Sequence, residues 1–111
     1  MAMNDLERLV SLQDLDLMIQ ETDEVAKLGF NVTGYDELQK AREELANQIS
    51  RPLLSRYERL RAKLKRAIVP VKNDICLGCF LRQPTSLAAR GREDEEIFTC
   101  ENCGRMLYWL D

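Results

Sequence analysis

The first quarter of the chain has hydrophobic residues at helical spacing. Residues 2–28 contain neither glycine nor proline, and apolar or small side chains recur there at intervals of three or four residues. The positions are Leu12, Leu15, Ile19, Thr22 and Ala26. This spacing is typical of a coiled-coil seam and predicts a helix over about residues 2–28.

A second apolar stripe follows another side of the same predicted helix. Because a single neighbouring helix cannot cover two separate faces, this stripe is expected to bind a protein partner or a second copy of the chain. The candidate partner-binding residues are Met3, Leu6, Val10 and Leu17. The prediction therefore includes a protein partner and allows a homo-oligomer.

The stretch "GFNVTG", residues 29–34, separates the first predicted helix from a second one. Its two glycines interrupt the helical pattern, and Thr33 with Asp36 three residues later predicts a capping box. Helical spacing then continues to Ala67 and predicts a second helix over about residues 35–68. We expect a bend at Pro52, since the periodicity resumes beyond it. A short connection between two long helices predicts an antiparallel hairpin.

The composition changes after Ala67, where β-branched residues surround Pro70. This pattern predicts an extended segment over residues 68–75. The predicted fold class is α+β and mainly α. We expect a long antiparallel coiled-coil hairpin in residues 1–68 and a small β module in residues 69–111.

The formal net charge of −3 conceals three blocks of alternating sign. Residues 1–50 carry eleven acidic and four basic side chains. Residues 51–72 carry one acidic and eight basic side chains, and residues 73–111 carry seven acidic and four basic ones. The basic block is either a solvated helix face or a docking patch for nucleic acid or an acidic protein. The candidate nucleic-acid-binding residues are Arg59, Arg61, Lys63, Lys65, Arg66 and Lys72.

All four cysteines lie in the C-terminal module, as two Cys-x2-Cys pairs separated by twenty residues. Zinc prefers four ligands at tetrahedral angles, and each Cys-x2-Cys turn can aim two sulfurs at one point. The spacing therefore predicts a structural Zn²⁺ site. Its ligands are Cys76, Cys79, Cys100 and Cys103.

Residues within and beside the two cysteine pairs give further expectations. Gly78 and Gly104 are expected to adopt positive φ, which turns of this kind require. Phe80 follows the first pair where Gly104 follows the second, so the first turn is expected to be less regular. Phe80 is also expected to contribute to the small core of this module.

Other uses of the cysteines are less consistent with the sequence. Two disulfides need an oxidising compartment, whereas "MAMNDLERLV" lacks the basic and apolar regions of a signal peptide. We therefore expect a cytoplasmic protein with no membrane association. Iron and a redox-labile zinc site remain alternatives. A catalytic zinc keeps one position open and commonly has histidine ligands, but the sequence has no histidine, so we expect no enzyme.

The motifs "VPVKNDICLGCF" and "IFTCENCGRMLYW" complete a layout that resembles a bacterial C4-type zinc-ribbon family. Its members join an N-terminal helical hairpin to a C-terminal zinc ribbon, and Cys103-Gly104-Arg105 with Leu107-Tyr108 is the most specific part of the likeness. The resemblance implies the same four zinc ligands. It also implies a regulatory or nucleic-acid-binding protein, since some members are linked to an alternative sigma factor and flagellar gene control.

The expected function is that of a non-enzymatic zinc-ribbon adaptor. It would bind a protein partner, such as a transcription or sigma-factor component, through the helical hairpin. Two alternatives stay open. One is RNA or DNA binding through the basic end of the second helix and the zinc ribbon, and the other is a redox-sensitive zinc chaperone.

Overall fold

The computed structural model describes residues 4–87 and 97–110. Within them the chain is mainly helical, with three α-helices and a four-stranded sheet, and this confirms the predicted α+β class. It divides into two compact units, residues 1–54 and residues 55–111. The helices of the described part of the chain are too short or too polar to cross a membrane.

Helix α1 spans Asp5–Lys27, close to the predicted range. Its N-cap is Asn4, whose side-chain oxygen accepts a hydrogen bond of 2.8 Å from the backbone N–H of Glu7. Acidic residues in the first turn and Lys27 in the last turn suit the helix dipole. The helix ends before Gly29, which has a φ of 93°.

Helix α2 spans Tyr35–Ala46 and packs against α1, as the ion pair of 3.0 Å between Arg42 Nε and Asp16 Oδ1 shows. It begins where the sequence predicted, but its N-cap is Gly34 with a φ of 83° and no side-chain cap. The predicted capping box of Thr33 and Asp36 is therefore absent. Glycine adopts this left-handed conformation without the steric cost of a Cβ.

Helix α3 spans Arg51–Lys63, so the single helix predicted over residues 35–68 is two helices. Pro52 cannot donate to the carbonyl four residues earlier, and its ring crowds that carbonyl. The chain responds by closing α2 with i to i−3 bonds, from Gln48 to Leu45 and from Ile49 to Ala46. Pro52 then falls in the first turn of α3, where its missing donor costs little.

The structure therefore has a break before Pro52 in place of the expected bend. The long antiparallel hairpin that depended on a continuous second helix is not confirmed. The division of the chain at residue 68 into a hairpin domain and a ribbon domain stays a prediction.

The four strands are β1 (Ile68–Lys72), β2 (Ile75–Cys76), β3 (Phe98–Thr99) and β4 (Met106–Trp109). They lie in the order β2-β1-β4-β3, with β1 parallel to β4 and the other pairs antiparallel. Asn73 and Asp74, both at positive φ, form the tight turn between β1 and β2. The expected extended segment at residues 68–75 is confirmed for Ile68–Lys72, but the chain turns at Asn73 and Asp74 before β2.

The core of the sheet surrounds the cysteines. Val69, Val71 and Leu107 are buried with Cys76 and Cys100, and three partly buried side chains pack against them. Those three are Cys79, Cys103 and Trp109. Phe80, expected in this core, is 71% exposed. The short helical turn at residues 85–87 begins the loop to β3, and residues 88–96 lie outside the described part.

Candidate metal centre

The sheet brings the two cysteine pairs together. Cys76 ends β2 and Cys79 lies in the turn that follows, while Cys100 and Cys103 lie in the turn between β3 and β4. Because β1 and β4 are paired at the middle of the sheet, β2 and β3 hold their turns on either side of that pair. Two segments separated by twenty residues in sequence thus meet at one site.

The sulfur positions fit a tetrahedral metal ion. Cys76 Sγ lies 3.9 Å from Cys103 Sγ, and Cys79 Sγ lies 3.7 Å from Cys100 Sγ. All four sulfurs lie within 4.8 Å of one another. Four thiolates at the usual zinc–sulfur distance of about 2.3 Å would have sulfur–sulfur separations of about 3.8 Å. The spacing therefore matches a four-thiolate zinc shell, and such a shell leaves no position for water or substrate.

The two cysteine turns have the same backbone hydrogen bonds. In the first, Phe80 N–H donates to the Cys76 carbonyl at 2.7 Å, and Cys76 N–H donates to the Leu81 carbonyl at 3.0 Å. In the second, Gly104 N–H donates to the Cys100 carbonyl at 2.9 Å, and Cys100 N–H donates to the Arg105 carbonyl at 2.9 Å. The expectation that the first turn is less regular is therefore wrong.

Phe80 has a backbone conformation that is unusual for a residue other than glycine. Its φ is 65°, close to the 77° of Gly104 at the equivalent position. A side chain in this left-handed region costs about 1–2 kcal/mol, which glycine avoids. The positive φ predicted for Gly104 is confirmed. In the first turn, Phe80 has the same left-handed conformation.

These turns have a counterpart among known domains. Residues 75–107 match the C4-type zinc ribbon domain family. The match includes all four cysteines, and together with their geometry it confirms the predicted zinc-ribbon resemblance. No curated protein sequence matches the chain.

Solved structures that resemble the chain include two bacterial proteins. The HP0958 protein from Helicobacter pylori is 28% identical, with a TM-score of 0.66, over 79% of this chain and 36% of that one. CT398 from Chlamydia trachomatis is 30% identical, with a TM-score of 0.63, over 78% of this chain and 36% of that one. The chain thus spans about a third of the length of each.

Several N–H groups of the zinc ribbon point at the sulfurs. Cys76 accepts from the backbone of Gly78 and Cys79, and Cys100 accepts from the backbone of Asn102 and Cys103. The Gln83 side chain also donates to Cys100 Sγ at 3.4 Å. Such donors stabilise the negative charge of a thiolate and orient it toward a metal.

The thiols differ in pKa because their surroundings differ. Burial raises the pKa of Cys76 to about 12, against the opposing effect of its two backbone donors. The Asn102 side chain is the main cause that lowers the pKa of Cys79 to about 6. Burial also acts to raise the pKa of Cys100, but the backbone donors and Gln83 outweigh it, and the net direction is downward.

Arg105 braces the zinc ribbon from outside the metal shell. Its Nε donates to the backbone carbonyl of Arg66 at 2.9 Å, and its side chain passes over Gly78. A Cβ added at Gly78 would lie 2.7 Å from Arg105 Cδ. An alanine at position 78 would therefore displace the end of the Arg105 side chain, and the positive φ predicted for Gly78 is wrong.

The residues expected to bind a protein partner occupy different environments. Met3 lies outside the described residues, Leu6 and Val10 are half-buried, and Leu17 is buried. The large apolar side chains that α1 and the following loop expose are different ones. They are Met18, Val25, Leu28 and Phe30. The partner-binding role of the first set stays a prediction.

The candidate nucleic-acid-binding residues are mostly exposed, and two of them share a cleft. Arg59, Lys63, Lys65, Arg66 and Lys72 are exposed, whereas Arg61 is half-buried and donates to the Lys65 carbonyl. Arg59 and Lys63 line a cleft of about 230 Å³. Its other lining residues are Arg56, Leu60, Thr99 and Gly104.

Sequence reasoning missed Arg56, Gln83 and the brace formed by Arg105. Gln83 lies between an arginine and a proline in a loop, a context that suggests exposure, yet it is 4% exposed. Arg56 is one of eight basic residues in its block, and the sequence offers no signal that separates it from the others. The Arg105 brace joins residues 39 positions apart, which no local pattern encodes.

Proposed function

We propose that this chain is a non-enzymatic zinc-ribbon adaptor that binds a protein partner through its helical unit, residues 1–54. A Zn²⁺ ion held by four cysteines would stabilise the C-terminal module and would have no site for substrate. The likeness to sigma-factor-linked zinc-ribbon proteins favours a partner in transcription.

The observation that carries this proposal is the exposure of large apolar side chains in the helical unit. Leu28 is 74% exposed and Phe30 is 65% exposed, and both lie in the segment between α1 and α2. Met18 and Val25 on α1 are 49% and 40% exposed. Exposed apolar side chains gathered in one region are typical of a protein-binding surface.

Affinity capture from native lysate tests this proposal. The full-length zinc-loaded chain should retain a defined protein after nuclease treatment, and Leu28→Glu with Phe30→Glu should abolish retention. Both side chains are exposed, so the fold should tolerate the change. Leu110→Glu, also at an exposed apolar residue, is the matched control and should retain the partner.

A parallel variant tests the stripe predicted from sequence. Leu6→Glu with Val10→Glu should also reduce retention if that stripe contributes, with circular dichroism to check that α1 stays folded. The proposal is wrong if the wild-type chain retains no protein after nuclease treatment. It is also wrong if both pairs of substitutions leave retention at the wild-type level.

Nucleic-acid binding is a second candidate, favoured by the cleft beside the zinc ribbon. Arg56, Arg59 and Lys63 line it together with Thr99, so three basic residues surround one small volume. Neutralising three phosphates would give a plot of log affinity against log salt with a slope of about −2 to −3.

This candidate has its own test. Arg59→Glu with Lys63→Glu should reduce RNA or DNA retention and flatten the salt dependence. Lys27→Glu with Lys40→Glu changes the net charge by the same amount, but in the helical unit. This control should leave nucleic-acid retention and its salt dependence unchanged. A salt-independent interaction, or no retention at all, would exclude this candidate.

A further inference from the structure

A groove lies at one end of the helical unit, where α1, the loop after it and the start of α2 meet. It has a volume of about 420 Å³. Met18, Thr22 and Val25 line it from α1, Val32 from the loop, and Leu38 from α2. We call this the tip groove.

The floor of the tip groove has the dimensions of a helix-binding site. Met18, Thr22 and Val25 are spaced i, i+4 and i+7 along α1, so they lie on one face. At 1.5 Å per residue this face extends about 10 Å, or two turns of a docked helix. Met18 and Val25 keep 49% and 40% of their surface exposed, and Leu28 and Phe30 add apolar surface beyond the last turn of α1.

The rim of the tip groove carries the negative charge of Glu21, and the surrounding segment is acidic. Further exposed carboxylates lie within two residues of the lining residues in sequence, on other faces of the two helices. These are Asp23, Glu24, Asp36 and Glu37. Residues 18–40 contain only two basic side chains, Lys27 and Lys40, so the segment carries a net negative charge. A partner with positive charge around an apolar face would complement both features.

We infer that the tip groove binds a basic amphipathic helix of a partner protein. The inference rests on the proposed adaptor function and names the surface and partner chemistry for it. The apolar floor fits side chains at i, i+4 and i+7 of such a helix, and Glu21 with the net negative charge of the surrounding segment fits lysines or arginines beside them.

The basic helix of a second copy is a poorer occupant. Within the described residues, α3 is the helix rich in basic side chains, but Tyr57 at its centre is 0% exposed. The largest apolar side chain of α3 is therefore already covered within the chain. An external basic helix needs no such rearrangement, and the groove is accessible to it.

Fluorescence anisotropy with a synthetic helix tests the inference. The probe is a labelled peptide of about 18 residues with leucines at i, i+4 and i+7, lysines beside them and alanines at the remaining positions, since alanine favours the helix and limits repulsion between lysines. The full zinc-loaded chain should bind it, and an equally apolar peptide with glutamate for lysine should bind at least about tenfold more weakly.

Variants locate the binding to the tip groove. Val25→Ser removes apolar floor, Glu21→Lys reverses the charge of the rim, and each should weaken peptide binding by about three- to tenfold. Asp14→Lys is the matched control, because Asp14 is an exposed acid on the same helix outside the groove. It should bind the lysine peptide as the wild type does.

The outcomes separate this inference from the adaptor proposal. If the wild-type chain retains no protein from lysate, the adaptor proposal fails and the inference fails with it. If retention persists but both peptides bind equally, or Val25→Ser and Glu21→Lys bind as the wild type, only the inference is overturned. A dimer in light scattering that Val25→Ser dissociates would assign the groove to a second copy and would also overturn it.

Discussion

Phe80 occupies a backbone conformation that is unfavourable for a residue with a side chain. Its φ of 65° is in the left-handed region, and its side chain is 71% exposed. Replacing Phe80 with alanine or with glycine removes the same ring in both variants, and the two differ only in a Cβ. We expect Phe80→Gly to be more stable than Phe80→Ala, which reverses the usual order of these residues.

The magnitude follows from two opposing effects. A Cβ in the left-handed region costs about 1–2 kcal/mol. Glycine loses more backbone freedom on folding, which costs about 0.5–1 kcal/mol relative to alanine. The glycine variant should therefore have the larger free energy of unfolding, by about 0.7 kcal/mol at the middle of the two ranges and by about 1.5 kcal/mol at most.

Leu81 provides the matched control. It is the next residue, 49% exposed, and its φ is not positive. There alanine should be more stable than glycine by about 0.5–1 kcal/mol. The stability difference between glycine and alanine at position 81 can be subtracted from that at position 80. The extra backbone entropy that glycine loses on folding then cancels, because it acts mainly in the unfolded chain. The remaining difference should equal the left-handed cost, about 1–2 kcal/mol.

Urea unfolding of the zinc-loaded variants measures these differences. Trp109, the one tryptophan, packs against the zinc-ribbon core and should report its unfolding by fluorescence. A difference of 1–2 kcal/mol changes the ratio of folded to unfolded chain by a factor of about 5–30. If alanine proves more stable than glycine at both positions, Phe80 is not held in the left-handed conformation and the reasoning is refuted.

Three further predictions concern the zinc ribbon. Gly78→Ala should not show the gain of about 0.5–1 kcal/mol in the free energy of unfolding that alanine usually has over glycine at a residue without positive φ, because the new Cβ displaces the end of the Arg105 side chain from its backbone acceptor; in an Arg105→Ala background, urea unfolding should show that gain. Gln83→Leu removes a donor to Cys100 and should weaken zinc binding about 10–100-fold in chelator competition. An unchanged zinc affinity would show that Gln83 does not stabilise the Cys100 thiolate. Removing zinc should unfold the sheet, because structural zinc contributes about 10–16 kcal/mol; strand NMR signals that persist in the chelated protein would contradict this.

The parts of the structure that the sequence predicted depend on local chemistry. The two Cys-x2-Cys pairs identify the four ligands, since that spacing and soft-ligand chemistry restrict the alternatives. The start of α2 at Tyr35 was predicted from the glycines of the preceding turn and from a capping box that the structure lacks, and the strand at Ile68 was predicted from the β-branched residues around Pro70. Each of these signals lies within a few residues of the feature it predicts.

The parts that were not predicted depend on competing or distant effects. Apolar periodicity continues across Pro52 and favoured one helix, but the missing donor and the ring of proline outweighed it and the helix broke. Gln83 is buried beside Cys100, a contact across 17 residues of sequence that its neighbours in sequence do not indicate. The close contact that an added Cβ at Gly78 would make arises from Arg105, which lies 27 residues away.

The two cysteine turns show which of these effects dominates at the metal centre. Their backbone hydrogen bonds are the same, although glycine occupies the left-handed position in one and phenylalanine in the other. If local preference set the conformation, Phe80 would leave the left-handed region and the Cys76 turn would open. It does not, so the requirement to aim two sulfurs at one point must exceed the cost of about 1–2 kcal/mol at Phe80. Zinc held by the four thiolates would contribute several times that cost.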